Sequence, residues 1–178
     1  MGMYNKFNKS NRNNNYNNRY INNIYLKKII TNYLYSKIDL SNLNYKIIKY
    51  NNELDHLSID NKIKYIQYSY SGSNNFLIFI KIENKYYSVM IEKNSLCYNF
   101  NKLDINRVKI IKVNIRFNKK VYDGSIFDGV YLVNKFNNEK NFIINDIHYF
   151  TGDDMSYHKI KNKMCVLSSF LDINPNTE

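Results

Sequence analysis

Residues 126–155 read IFDGVYLVNKFNNEKNFIINDIHYFTGDDM, and this stretch decides the fold. Ser125–Val133 and Asn141–Ile147 are rich in β-branched and aromatic residues, the composition of strands, and Asn137-Asn138-Glu139-Lys140 between them carries turn chemistry. Together they predict an antiparallel hairpin. The same pattern extends upstream, where Phe76–Ile82 (FLIFIKI), Tyr86–Ile91 (YYSVMI), Leu96–Phe100 and Val108–Ile115 also read as strands. Turns are expected at Glu83-Asn84-Lys85 and Glu92-Lys93-Asn94-Ser95, so strands adjacent in sequence should pair into a largely antiparallel sheet. Ahead of the sheet, Ile24, Leu26, Ile29, Ile30 and Leu34 approximate helical spacing over Ile24–Tyr35. A second short helix is expected over Asp60–Gln67, behind the start signals Ser58 and Asp60. The expected class is α+β, short helices followed by an antiparallel sheet, with no internal repeat.

A chain of 178 residues is enough for one domain of ordinary size. Hydrophobic residues at 44% and aromatics at 16% exclude wholesale disorder. Lys and Arg outnumber Asp and Glu by 26 to 15, a net charge of +11 that makes an acidic partner such as nucleic acid the first suspicion. Seven of those positive charges, Lys6, Lys9, Arg12, Arg19, Lys27, Lys28 and Lys37, precede the first acidic residue, Asp39. The remainder is only mildly basic. Residues 1–23 hold an Asn-rich tract without apolar periodicity and are expected to be a disordered basic tail, leaving 24–178 as a single domain. Cys97 and Cys165 lie far apart without metal-ligand spacing, so neither a zinc site nor a disulfide framework is indicated and a reducing compartment fits. No apolar run reaches the ~18 residues a membrane span needs. Lys, Asn, Ile and Tyr, the residues of AT-rich codons, dominate throughout, which suits a large DNA virus or a protist with an AT-rich genome. For a viral protein the cytoplasmic factory or the virion is the expected location.

The pairs Asp123-Gly124 and Asp128-Gly129 flank a short hydrophobic strand, and taken alone each is a common turn signal. A second carboxylate-bearing strand follows, Asn141 to Asp146 and Ile147, and then His148-Tyr149-Phe150-Thr151-Gly152-Asp153-Asp154. This succession resembles the covalent nucleotidyltransferase superfamily, the mRNA capping guanylyltransferases and ATP-dependent DNA and RNA ligases. In that family a strand ending Asp-Gly-Glu is followed, after a hairpin, by an aromatic-x-x-aromatic-Asp strand and a Gly-containing turn. Ser69-Tyr70-Ser71-Gly72-Ser73-Asn74 stands where the family has Lys-x-Asp-Gly-x-Arg, and Lys93 stands where it has a basic residue that contacts the nucleotide. The resemblance covers roughly Ser69 to Met164.

The departures from the family bear on activity. The family's nucleophilic lysine is Ser69 here, a hydroxyl with no adjacent base, and its Asp and Arg are Ser71 and Asn74. The Glu of Asp-Gly-Glu is Val130, which removes a metal-binding carboxylate, and Asn145 replaces the aromatic before Asp146. The chain also stops before the family's later motifs. The resemblance therefore implies no catalytic residue, metal or cofactor. The better comparison is the snurportin-like cap-binding domain, which keeps the fold without the lysine. By this likeness the ligand would be a nucleotide, a capped RNA or an RNA 5′ end, held by Ser69, Gly72, Lys93, Asp128, Phe142 and Asp146. Tyr70, Phe142, Tyr149 or Phe150 would stack the base, because the chain has no Trp. Arg107 and Arg116 are the expected nucleic-acid contacts. His56, His148 and His158 are scattered without ligand spacing, and Ser69, His148 and Asp146 lack the strand-turn-helix context of a hydrolase. Two alternatives stand beside the binding function. One is a structural or scaffolding protein, a noncatalytic subunit or virion component that keeps the fold without a ligand. The other is a capping or ligase activity completed by a protein partner. An open, aromatic-walled pocket at Gly72, Lys93, Asp128 and Phe142 would favour binding, and a filled one scaffolding.

Overall fold

A computed structural model of the chain describes residues 19–40, 70–134 and 136–172, with residues 171 and 172 described by their backbone alone. The strands β1 (Ser73–Ile82), β2 (Lys85–Glu92), β3 (Ile110–Lys112), β4 (Ser125–Val133), β5 (Lys140–Phe150) and β6 (Asp153–Asp154) form one sheet in the order β3-β2-β1-β4-β5-β6. Every pairing is antiparallel. With α1 (Ile24–Lys37) and α2 (Ile160–Asp172) the architecture is α+β.

The central strand β1 explains its own apolar run, because a strand covered on both faces does not alternate. Phe76, Ile78, Ile80 and Ile82 pack with Ile30 and Leu34 of α1, while Leu77 and Phe79 pack with Phe127 and with Phe170 of α2. Asn23 caps α1 by accepting the Leu26 N–H at 3.0 Å. The stripe that α1 buries is Lys27, Ile30, Thr31 and Leu34, whereas Ile24, counted in the apolar periodicity, is exposed. Two polar residues can join that stripe because their donors are met: Thr31 Oγ1 bonds to Lys27 O at 2.8 Å, and Lys27 Nζ to Val108 O at 2.8 Å.

Several expectations are corrected. Residues 19–23, assigned to the tail, belong to the fold. Ile21 is buried, its N–H bonds to Ile110 O at 2.9 Å, and Tyr20 bridges to Ile111 along the β3 edge. Leu96–Phe100 is not a strand. Tight 3-10 turns at Lys93–Ser95 and Phe100–Lys102 bracket it, and the Tyr35 hydroxyl bonds to both the N–H and the carbonyl of Cys97, so these backbone groups are spent on a helix side chain. Val108–Ile115 pairs as a strand only over Ile110–Lys112. The helix α2 has no counterpart in the sequence-based expectation. Asp60–Gln67 lies outside the described residues.

Asp123-Gly124 is a turn, with Gly124 at φ +124° closing a 3-10 turn over Lys119–Asp123. Asp128-Gly129 is instead mid-strand in β4. Opposite it, β5 carries two bulges. Ile126 pairs with Tyr149 and Phe127 with Ile147, leaving His148 as an extra residue, and the pairs Asp128–Asp146 and Gly129–Ile144 likewise leave Asn145.

Candidate functional site

Asp128 lies opposite Phe76 on β1 and opposite Asp146 on β5, near the middle of the sheet. It is 1% exposed, and its Oδ2 forms an ion pair with Lys93 Nζ from the 3-10 turn after β2. The Lys93 ammonium also sits 4.6 Å from the centroid of the Phe76 ring, a cation–π arrangement that offsets part of its lost hydration. The bulge at His148 brings that imidazole to the same carboxylate, Nε2 lying 3.7 Å from Asp128 Oδ2 and the ring meeting Phe76 edge-on at 6.0 Å. At 3.7 Å this is no hydrogen bond, and Nε2 is buried without a hydrogen-bond partner among the described residues. Asp146 is engaged separately. Its Oδ1 accepts from Lys163 Nζ of α2 at 2.8 Å and from the Ile147 N–H at 2.8 Å. Each of the two carboxylates therefore has its own lysine.

Two tyrosines on the same side of the sheet, Tyr33 and Tyr149, are raised above the ordinary phenol value. Burial pushes the Tyr33 phenol up to about 12, and Tyr149 is raised by burial and by its hydrogen bond to Asp154. Asp154 is lowered, first by the Ser156 backbone N–H that it accepts.

Of the expected ligand residues, the structure brings together Lys93 and Asp128 and places Asp146 beside them. Phe142 is elsewhere: it opposes Tyr131 in the register, an odd number of residues from Asp128, and packs in the cluster on the opposite face of the sheet. There its ring covers Gly129, where a Cβ would stand 2.7 Å from the ring atoms. Phe142 is thus a partly buried side chain packed on that cluster, on the face away from Asp128. Tyr149 and Phe150 are likewise divided between the two faces. Gly72 backs onto β4, where a Cβ would meet Tyr131 O and Leu132 Cδ2, so the glycine serves close packing. Arg116 is exposed, and Arg107 is exposed in an ion pair with Asp104 at 3.3 Å. Ser69 and His56 lie outside the described residues. Sequence reasoning missed His148, whose approach depends on a bulge, and Lys163, which sits on the unexpected helix. Among the described residues no three His, Cys, Asp or Glu side chains are grouped as metal ligands.

A cleft of about 390 Å³ lies at the connection from β2 to β3, lined by Glu92, Leu96, Lys102, Asp104, Arg107 and Lys109 among others.

No protein-family model matches the chain. It is similar to an uncharacterized protein of Acanthamoeba polyphaga mimivirus, with 28% identity over 142 residues that span 76% of this chain and 41% of that relative. The chain thus has a viral homologue and spans less than half its length. Among the described residues no helix is long and apolar enough to cross a membrane.

Proposed function

We propose that the chain is a catalytically inert, nucleotidyltransferase-like domain that serves as a structural or accessory subunit in the cytoplasmic factory or the virion of a large DNA virus. One observation carries this reading. The face where the resemblance would seat a nucleotide is filled by the protein's own groups, with Lys93 lodged on both Asp128 and the Phe76 ring and His148 against the same carboxylate. A ligand site is a concavity of roughly 300–1,000 Å³ with a few converging polar groups. Here the polar groups converge on each other. The observed order of hairpin, Asp-bearing strand, hairpin and Asp-bearing strand supports the resemblance. The pairing of Asp128 and Asp146 with lysines supports inertness, since each carboxylate's charge is already compensated by a cation of the chain. The viral homologue supports the setting.

The reading is tested with labelled GTP or ATP and Mg²⁺, and with titrations of m⁷GTP, trimethylguanosine cap and GTP. No covalent protein–nucleotide adduct and no saturable binding that survives added salt are expected. An adduct would restore the partner-completed capping or ligase alternative. Salt-resistant, cap-dependent binding would restore recognition of a nucleotide, a capped RNA or an RNA 5′ end.

A further inference from the structure

Residues 93–109, between β2 and β3, form no strand, yet α1 fastens them at two places. At one end the Tyr35 hydroxyl donates to Cys97 O at 2.5 Å and accepts the Cys97 N–H at 3.1 Å, while its ring lies 5.0 Å from that of Phe100. At the other, Lys27 Nζ donates to Asn106 O at 3.2 Å and to Val108 O at 2.8 Å. Between these anchors the Asn99 and Asp104 side chains cap local turns by accepting from Asn101 N and Asn106 N. Placing an ammonium in the interior is costly unless its donors are met, so a buried lysine spent on two loop carbonyls is a strong restraint. The segment packs Val108, Leu96 and Leu103 on the core and turns other side chains to solvent. Tyr98 is 81% exposed, Lys102 is exposed, and the side chains of Arg107 and Lys109 are 87% and 62% exposed; Lys102, Arg107 and Lys109 line the cleft of about 390 Å³, as does Cys97, the neighbour of Tyr98 in the chain.

We infer that this fastened excursion is a docking site for single-stranded nucleic acid, distinct from the filled Asp128 face. An unstacked base lies on the Tyr98 ring, the adjoining nucleotide enters the cleft, and Lys102, Arg107 and Lys109 meet the phosphates. The chemistry that selects this partner is the pairing of an exposed aromatic ring with cations on a preorganised backbone. Every base offers a face to stack, and only single strands leave that face free. Arg107 now pairs with Asp104 in an exposed ion pair of little strength and Lys109 with the partly buried Glu92, so phosphate competes with these two carboxylates for the cations. Fixing the loop beforehand removes the ordering cost from the binding step.

The test is fluorescence anisotropy of the full chain with a labelled single-stranded RNA of about 12 nucleotides and with the matching duplex, at two salt concentrations. The wild type is expected to prefer the single strand. Tyr98→Ala should weaken binding about tenfold while Tyr98→Phe retains it. Arg107→Glu should weaken binding and flatten its salt dependence. A Lys6→Gln, Lys9→Gln, Arg12→Gln variant should lose affinity yet keep the single-strand preference. Because Tyr98 and Arg107 are surface side chains, circular dichroism should report unchanged folding for their variants. The inference is overturned if the duplex binds equally, if Tyr98→Ala and Arg107→Glu bind like the wild type, if the tail variant alone abolishes binding, or if an acidic peptide competes as well as RNA. None of these outcomes bears on the filled face.

Discussion

A single carboxylate oxygen, Asp128 Oδ2, gathers the polar groups of the sheet centre, with the Lys93 ammonium paired to it and His148 Nε2 at 3.7 Å. A pair this deep is a poor source of net stability, because desolvation consumes much of the Coulombic gain, but removing one partner strands the other. Lys93→Met is therefore expected to cost about 3–5 kcal/mol. Combining it with Asp128→Asn should recover much of that loss, because the uncompensated charge goes with it. Urea titrations of the two variants check this, and a Lys93→Met midpoint equal to the wild type would dismiss the buried pair. Asp128 and Lys93 were both singled out in the sequence, but as ligand contacts rather than as partners in a buried ion pair. His148 was not legible, because an imidazole without ligand spacing reads as surface or core, and the extra residue that aims it arises only when β5 meets β4.

Among the elements, the β4–β5 hairpin was the most legible, since its composition, its turn residues and its length are all local properties. Even so, the two Asp-Gly pairs have different fates. Gly124 takes a positive φ at a turn, and Gly129 instead accommodates the Phe142 ring and the Ile143 carbonyl across the pair. Gly129→Ala should force these apart and cost about 2–4 kcal/mol, lowering Tm by roughly 5–15 °C. Thermal unfolding measures it, and an unchanged Tm would show that the hairpin has room for a methyl group. The helices were less legible for a common reason. α1 buries Lys27 within its core stripe, and α2 buries Lys163 with Phe170 while Met164 lies exposed, so counting apolar residues alone misplaces one stripe and blurs the other. Leu96–Phe100 was misread because strand-like composition does not say whether a backbone finds a neighbouring strand, and here it found Tyr35.

On the scale of the whole molecule, the sheet is packed on both faces, with α1 over one cluster and α2 closing the other. Phe170 anchors that closure. Its ring stacks on Phe127 at 5.1 Å and meets Phe117 at 4.5 Å and Phe150 at 5.8 Å. Truncating a buried aromatic of this kind costs about 3–5 kcal/mol. Phe170→Ala is accordingly expected to lower the guanidinium midpoint and to deprotect the α2 amides in hydrogen exchange. Full retention of their protection would show that the helix is held by something other than this ring.

The sequence by itself determined the α+β class, the antiparallel pairing and the location of the Asp-bearing strands. Strand composition and turn chemistry act over a few residues, and hairpins follow from adjacency. Only the tertiary structure decided that Lys93 and His148 meet at Asp128, that Phe142 belongs to the opposite face, and that residues 93–109 are fastened to α1. Those outcomes rest on register, on bulges and on contacts between residues far apart in the chain, such as Lys93 with Asp128 at a separation of 35 and Lys27 with Val108 at 81. No local pattern encodes which of 26 Lys and Arg side chains will meet a given carboxylate, because packing makes that choice.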